Sequence, residues 1–374
     1  MTVNTLAADD TTMNAPLGAQ LERGYTLPAS WYSDPEIWAL ERERIFARTW
    51  QYAGPVEWLP DHGSYFTSRA GHIPVVVVRD GDEIRAFVNV CRHRGHLVAA
   101  GRGRRNTLQC PYHAWTYGLD GCLRSAPRAR EEQATFAFDE LGLYPVGVEA
   151  HGPFVFVNPD RDAPPLAETL GDVPARLERS GVDLSSLRLR RTVDWECRAN
   201  WKNAVENYLE CYHCAVAHPG FSAAIDVAPS RYLLEAAGAT MSQYGPARHS
   251  AGTRVLPAGE IEEAQSHLIF PNTSIDIAPG PPNLMIYAWG PTGPGTMAAS
   301  SHYFFPDGVA EEDVQQIVDF NEQVSEEDMR LIDAVQQGLD SGAVPFGRLM
   351  PESERLIAHF QRLVFDHVSG ESAP

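Results

Sequence analysis

Positive charge, cysteine and long apolar runs are all scarce in this sequence. Its 30 Lys and Arg residues stand against 49 Asp and Glu, which gives a formal net charge of −19. Because nucleic-acid phosphates select a basic surface, this balance argues against a nucleic-acid partner. Six cysteines in 374 residues are too few for a disulfide-stapled scaffold. No stretch approaches the roughly 18–20 consecutive apolar residues of a membrane helix, so we expect no membrane span.

Two short signals are missing as well. Residues 1–20 contain Asp9 and Asp10 but no Lys or Arg, whereas a secretory signal begins with basic residues, so we expect a cytoplasmic protein. No Gly-x-Gly-x-x-Gly follows a predicted strand and opens a helix, so the chain has no nicotinamide or flavin fingerprint of its own. Any electrons that it uses must therefore come from a partner.

The pattern of apolar residues predicts an α+β protein, and 374 residues predict more than one domain. Residues 1–24 are predicted to be a flexible tail. Residues 25–49 are predicted to be an N-terminal helical segment that packs on the C-terminal domain, its helix opening with Asp34 as the cap and Pro35 at the first position. Short alternating strands over residues 50–160 predict an all-β domain. Residues 161–374 predict a mixed domain, with helices near 166–180, from Asn200, and from about 311 to 338, and strands over about 230–305.

Two short Cys/His pairs stand out in the predicted all-β domain. Cys91-Arg-His93 is followed, after sixteen residues, by Cys110-Pro-Tyr-His113. An asymmetric [2Fe–2S] cluster requires such pairs, because two thiolates hold one iron and two neutral imidazoles hold the other. A structural zinc ion is the alternative, since it also takes two Cys and two His ligands. Zinc fingers pair Cys with Cys and His with His on a ββα unit, so the mixed pairing favours the cluster.

A second candidate metal site lies in the predicted C-terminal domain. His213 and His218 are separated by four residues, on a predicted helix that bends or ends near Pro219. Two histidines and one carboxylate can hold Fe(II) on one face and leave the other face open. In the long helix, Asp328 falls on a stripe at heptad-like spacing that is otherwise formed by Ile317, Val324, Leu331 and Val335. A buried unpaired carboxylate is costly, so Asp328 is the predicted third ligand.

Cys211 and Cys214 form a C-x-x-C between these candidate ligands. By itself this spacing indicates zinc binding or redox chemistry. No second pair accompanies it, and the segment is predicted to be helical. We therefore expect both cysteines to be buried packing residues.

Together these motifs resemble the α subunits of Rieske non-haem iron oxygenases, the ring-hydroxylating oxygenase family, from about residue 25 onward. The resemblance implies a Rieske domain joined to a helix-grip catalytic domain, and a homo-oligomer, a trimer assembled head to tail. It implies that Glu210, where the family usually has Asp, bridges to a cluster histidine of the neighbouring subunit and carries electrons between subunits. The ligands that it implies are Cys91, His93, Cys110 and His113 for the [2Fe–2S] cluster, and His213, His218 and Asp328 for a mononuclear Fe(II).

The segments 206–214 and 335–341, with Glu at 210, are most similar to the branch of choline, carnitine, glycine betaine and proline betaine oxygenases. A quaternary ammonium group has no N–H to donate, so proteins hold it by the faces of aromatic rings. The candidate substrate residues are Tyr208, Tyr287, Trp289 and Tyr303. The alternative for these aromatic residues is a place in the ordinary core.

The resemblance also implies a reaction. Electrons from NAD(P)H would pass through a flavin/iron–sulfur reductase, directly or by way of a ferredoxin, and O2 would be the co-substrate. Hydroxylation of an N-methyl group would release formaldehyde, so N-demethylation is the expected outcome. The alternative on this scaffold is an aromatic-acid ring-hydroxylating dioxygenase or O-demethylase, which a pocket arginine would favour. A simple electron carrier is a third hypothesis, against which the second metal motif argues.

Overall fold

The computed structural model describes residues 15–132, 135–248 and 255–370, so residues 1–14 of the predicted tail lie outside it. Two short helices open the described chain, α1 (Leu17–Glu22) and α2 (Pro35–Glu41). The Asp34 carboxylate accepts from the Glu36 N–H at 2.7 Å, which confirms the predicted cap. Within the segment predicted to be a tail, α1 packs on the C-terminal helix and buries Leu21.

Ten short strands follow, and all their pairings are antiparallel. They are β1 (Gln51–Pro55), β2 (Ser64–Ala70), β3 (Ile73–Asp80), β4 (Glu83–Val88), β5 (Arg102–Arg104), β6 (Thr107–Gln109), β7 (Thr116–Gly118), β8 (Leu123–Ser125), β9 (Pro145–His151) and β10 (Phe154–Asn158). Seven strands form one sheet in the order β1-β10-β9-β4-β3-β2-β5, and β6-β7-β8 form another. The run Val75–Val78 is fully buried in β3, as its continuous apolar sequence predicts.

The rest of the chain forms a second, larger sheet with helices packed against it. Its elements are α3 (Leu166–Leu170), α4 (Val173–Arg179), β11 (Leu187–Cys197), α5 (Trp201–Tyr208), α6 (Cys214–Ala217), α7 (Pro219–Ala224), β12 (Leu233–Ala237), β13 (Thr240–Pro246), β14 (Glu263–Ile269), β15 (Thr273–Ile277), β16 (Leu284–Gly293), β17 (Thr296–Pro306), α8 (Glu311–Asp340) and α9 (Arg355–Ser369). The sheet order is β11-β17-β16-β15-β14-β13-β12. The predicted α+β class is confirmed. The helix predicted near 166–180 is instead two helices, because Gly171 takes a φ of +55° between them.

The long helix α8 packs along α5, α7 and β11, and thereby covers one face of the larger sheet. The predicted apolar stripe is only partly right. Leu331 and Val335 are 36% and 49% exposed, whereas Ile332 and Gln336 are buried. A seven-residue repeat drifts by about 20° per heptad on a straight helix, so a stripe drawn at heptad spacing leaves the buried face along so long a helix.

Lys202, the only lysine in the sequence, joins the N-terminal segment to helix α5. It is fully buried, and its Nζ lies 2.5 Å from the Glu41 carboxylate of α2. Its ammonium group also donates to the Trp31 carbonyl at 3.0 Å. Because a buried charge must be paired, this contact ties residues 31–41 to α5, the helix that leads into the His213 segment. In the part of the chain that is described, no helix is both long and apolar enough to cross a membrane.

Candidate active site

The two Cys/His loops of the β domain share one backbone design. In each loop the cysteine N–H donates at 2.8 Å to the carbonyl five residues later, and the cysteine carbonyl accepts at 3.0 Å from the N–H four residues later. That fourth residue, Gly95 or Ala114, has a positive φ, +74° or +56°, which turns the chain back tightly. The loops therefore present two equivalent pairs, Cys91 with His93 and Cys110 with His113.

The thiols of this site are buried and its imidazoles lie outward. Cys91 and Cys110 are 3% and 2% exposed, while the rings of His93 and His113 contact each other with centroids 4.6 Å apart. Trp115 stacks on His93 at 4.9 Å. Burial raises the pKa of the Cys91 thiol, so a positive partner is needed to hold it as a thiolate.

The arrangement of these four residues distinguishes a [2Fe–2S] cluster from a single zinc ion. Around one tetrahedral zinc ion the ligand atoms would lie roughly 3–4 Å from one another. Among the described residues, the only group of three or more Cys, His, Asp or Glu whose ligand atoms all lie within 4.8 Å is His213, His218 and Asp328. The loop residues therefore do not converge on one point. Two separate pairs suit two irons bridged by sulfides, so the residues fit the [2Fe–2S] cluster.

His213, His218 and Asp328 converge on a single point. Nε2 of His218 lies 3.0 Å from Nε2 of His213 and 2.9 Å from Oδ1 of Asp328, and the third side of the triangle is 3.4 Å. Ligands at about 2.1 Å from a metal and at right angles to one another would lie about 3 Å apart, so these three atoms fit one face of an octahedral ion. The local backbone differs from the expected single helix: α5 ends at Tyr208, and the two histidines flank the short helix α6.

The other ring nitrogen of each histidine is held by a carboxylate. Nδ1 of His213 bonds to Glu210, and Nδ1 of His218 bonds to Glu327 at 2.7 Å. These contacts fix each ring so that Nε2 faces the metal position. Burial lowers the pKa of His213, but its hydrogen bonds to Asp328 and Glu210 outweigh burial and raise the pKa to about 9. The sequence did not predict this contact of Glu327 with His218. The position of Glu327 beside Asp328, near the predicted apolar stripe of the helix, was the available signal.

Cys211 and Cys214 form a disulfide in this structure, which corrects the prediction that they are packing residues inside a helix. Cys211 precedes α6, and Cys214 is its first residue. The C-x-x-C spacing was the signal, and the wrong helix assignment hid it.

A cavity of about 160 Å³ opens onto the three convergent side chains. This is roughly ten times the space that one water needs, so it suits a small organic molecule. Three aromatic residues form a row along one wall: Trp195 lies 5.8 Å from Tyr287, and Tyr287 lies 5.7 Å from Trp289, between ring centroids. The ring of Tyr208 packs against the end of this row, with its centroid 5.1 Å from that of Trp289. Strand register explains the row, because Trp195 and Trp289 both pair with the small residue Ala299 of β17.

Of the four aromatic candidates from the sequence, Tyr208, Tyr287 and Trp289 line the cavity. Tyr303 is not among its lining residues; it is 1% exposed, and its hydroxyl donates to Glu322 of α8. Among the lining residues that the sequence did not indicate are Trp195 and Asp276. A charged residue in the short, fully buried strand β15 was the available signal for Asp276.

The fold and the two donor sets define a Rieske-type non-haem iron oxygenase. Residues 49–144 match the Rieske [2Fe-2S] domain, and residues 184–370 match the catalytic domain of the ring hydroxylating alpha subunit. The chain belongs to this family, and it therefore has the [2Fe–2S] cluster and a mononuclear iron as cofactors.

Its relatives include quaternary ammonium oxygenases. The chain is 34% identical over 356 residues to the carnitine monooxygenase oxygenase subunit of Escherichia coli (strain K12), covering 92% of this chain and 94% of the relative. It is 30% identical to the chloroplastic choline monooxygenase of Amaranthus tricolor, covering 91% and 77%. A solved quaternary ammonium Rieske monooxygenase in complex with L-carnitine superposes with a TM-score of 0.78 at 31% identity, covering 92% and 95%. A further solved quaternary ammonium Rieske monooxygenase, which gave insights into carnitine oxidation and inter-subunit electron transfer, superposes with a TM-score of 0.82 at 31% identity, covering 92% and 95%.

Proposed function

We propose that this protein is the terminal oxygenase of a Rieske monooxygenase system and hydroxylates a quaternary ammonium or methylated amine compound. One observation carries the proposal: the cavity at the Asp328 triad is walled by Trp195, Tyr208, Tyr287 and Trp289 and, among described residues, has no Lys or Arg in its lining. Aromatic faces attract a cation that has no N–H groups. An aromatic acid would need a cationic partner for its carboxylate, so the ring-hydroxylase or O-demethylase alternative is disfavoured. The carnitine and choline monooxygenases among the relatives support the same choice.

The chain's own residues prepare this reaction. Fe(II) held by His213, His218 and Asp328 would supply activation of the co-substrate O2. Glu210 and Glu327 orient the two imidazoles, and the aromatic wall excludes water and holds the substrate cation beside the triad. A hydroxylated N-methyl carbon is a hemiaminal and releases formaldehyde, so N-demethylation is the outcome for a substrate whose methyl group faces the triad.

The proposal includes NAD(P)H as the source of electrons and a flavin/iron–sulfur reductase, with or without a ferredoxin, as the partner in the cytoplasm. The surface beside the cluster loops supports such a partner. His93 is exposed, and so are the nearby arginines Arg94, Arg104 and Arg105, in a chain whose net charge is −19. A basic collar around an exposed redox centre attracts an acidic electron donor.

A head-to-tail trimer completes the proposed electron path, with Glu210 as the bridge between subunits. Exposed apolar side chains lie at both ends of that path. Leu97 and Tyr112 are 46% and 51% exposed beside the cluster loops, and Tyr212 and Val216 are 59% and 87% exposed beside Glu210. Two different patches on one chain fit a heterologous interface that closes into a ring.

Oxygen uptake with a matched reductase tests the proposal. Choline, carnitine, shorter betaines and methylated amines would be compared with aromatic acids, and formaldehyde and other aldehyde products would be measured. We expect uptake coupled to aldehyde formation with an ammonium substrate only. Asp328→Ala should abolish this uptake and keep the visible absorbance of the cluster. Coupled uptake with aromatic acids alone, giving a diol or a phenol, would contradict the proposal.

A further inference from the structure

Asp276 places a buried carboxylate in the cavity wall. It is 5% exposed, and it lies on β15 among the residues that line the cavity. Its Oδ1 accepts from the Tyr208 hydroxyl at 2.5 Å, and its Oδ2 accepts from the Ser274 hydroxyl at 2.6 Å. Two neutral donors orient the group but do not neutralise it.

No cationic side chain of the described residues pairs with this carboxylate. No salt bridge involves Asp276 among those found in the described chain, and the cavity lining there has no Lys or Arg. The other acidic residues that line the cavity, Glu210 and Asp328, bond to the histidines of the iron site. A buried charge without a partner is costly, so a site that keeps one is built to receive the opposite charge.

We propose that Asp276 is the counter-ion of the substrate's ammonium group and that the cavity selects cations that carry no carboxylate. This inference rests on the proposed function and narrows its substrate class. The aromatic wall alone would accept a choline-like cation and a zwitterion such as carnitine equally well at the ammonium end. Asp276 and the absence of a lining Lys or Arg make the cavity favour the choline-like cation over the zwitterion. The carboxylate of a zwitterion would have no cationic partner in the lining and would be repelled by Asp276.

The other charges of the site leave none to compensate Asp276. Three carboxylates, those of Asp328, Glu210 and Glu327, bond to the two histidines and together exceed the two positive charges of Fe(II). A monocation reduces the remaining negative charge by one, whereas a zwitterion leaves it unchanged. In a low-dielectric cavity an uncompensated charge is strongly disfavoured. Tyr208 links both parts of the site, because its ring contacts Trp289 while its hydroxyl holds Asp276.

Ligand binding to the holoenzyme, measured by the quenching of tryptophan fluorescence, tests this assignment without turnover. Four probes separate the contributions: tetramethylammonium, choline, the neutral carbon analogue 3,3-dimethylbutan-1-ol, and L-carnitine. We expect the two cations to bind roughly 10- to 100-fold more tightly than carnitine or the neutral analogue. Asp276→Asn should remove most of that advantage and leave the neutral analogue unaffected.

Glu322→Gln is the matched control. Glu322 is a partly buried carboxylate that also accepts from a tyrosine hydroxyl, that of Tyr303, but it is not among the residues that line the cavity. Its substitution should leave all four affinities unchanged. Carnitine binding as tight as choline binding, or full choline affinity in Asp276→Asn, would overturn the inference and leave the proposed function standing. If no ammonium compound binds or is oxidised, the proposed function falls and this inference with it.

Discussion

Replacing Asp276 by Asn should stabilise the ligand-free protein at neutral and alkaline pH. Burial raises the pKa of the Asp276 carboxyl to about 6, against about 3.9 in an unfolded chain. A carboxyl with a raised pKa binds its proton more tightly in the folded state. Its favourable contribution is therefore complete below pH 4 and is lost as pH rises through 6. Asn keeps two hydrogen-bonding groups of similar shape without the charge.

The size of the effect follows from this difference in pKa. About two units correspond to about 3 kcal/mol of folding free energy at pH 8, and to about half of that at pH 5. For cooperative unfolding of a chain of this length, 3 kcal/mol is about 4 °C in Tm. Tm would be measured by scanning fluorimetry of the holoenzyme at both pH values, with Glu322→Gln beside it. A saturating cationic ligand should cancel the gain, because it supplies the missing partner to the wild-type carboxylate.

Comparing the two pH values separates charge from packing, since a cavity or a lost hydrogen bond would shift Tm equally at pH 5 and at pH 8. A Tm of Asp276→Asn that does not exceed the wild-type value at pH 8, or a difference independent of pH, would refute the argument that this carboxylate is buried as an uncompensated charge.

Three further outcomes are expected. Glu210→Gln should abolish turnover while both metal centres remain filled by metal analysis; unchanged turnover would remove the bridge role. Cys110→Ser and Asp328→Ala should each be inactive alone, and a refolded or co-expressed mixture of the two should regain about a quarter of wild-type activity. The reason is that random assembly places an intact cluster next to an intact iron site at one subunit junction in four. No recovery of activity in verified mixed trimers would exclude electron transfer between subunits. Glu327→Gln should lower iron affinity about 10- to 100-fold in a chelator competition, because His218 loses a charged partner for Nδ1, and should leave the EPR signal of the cluster intact.

Most of the candidate metal ligands could be proposed from the sequence because their spacing is short. Cys91 with His93, and Cys110 with His113, each lie within one loop, so the backbone alone brings the members of a pair together. The same holds for His213 and His218, even though the helix assigned to them was wrong. Asp328 was proposed from the helix period, which fails from Leu331 onward because heptad spacing drifts on a straight helix.

The sequence by itself indicated the protein family, the α+β class, the candidate metal ligands and several aromatic residues of the cavity. The Cys/His pairs and the two histidines could be recognised because their members lie within a few positions of one another. The tertiary structure decided the rest: Glu327 behind His218, Trp195 and Asp276 in the cavity wall, Tyr303 outside its lining, and the Cys211–Cys214 disulfide. Most of these depend on which strands are neighbours and on which face of each strand is turned inward. Register across a sheet brings together residues that lie far apart in the chain, such as Trp195 and Trp289, which both pair with Ala299. Local sequence patterns do not specify which residues pair across strands.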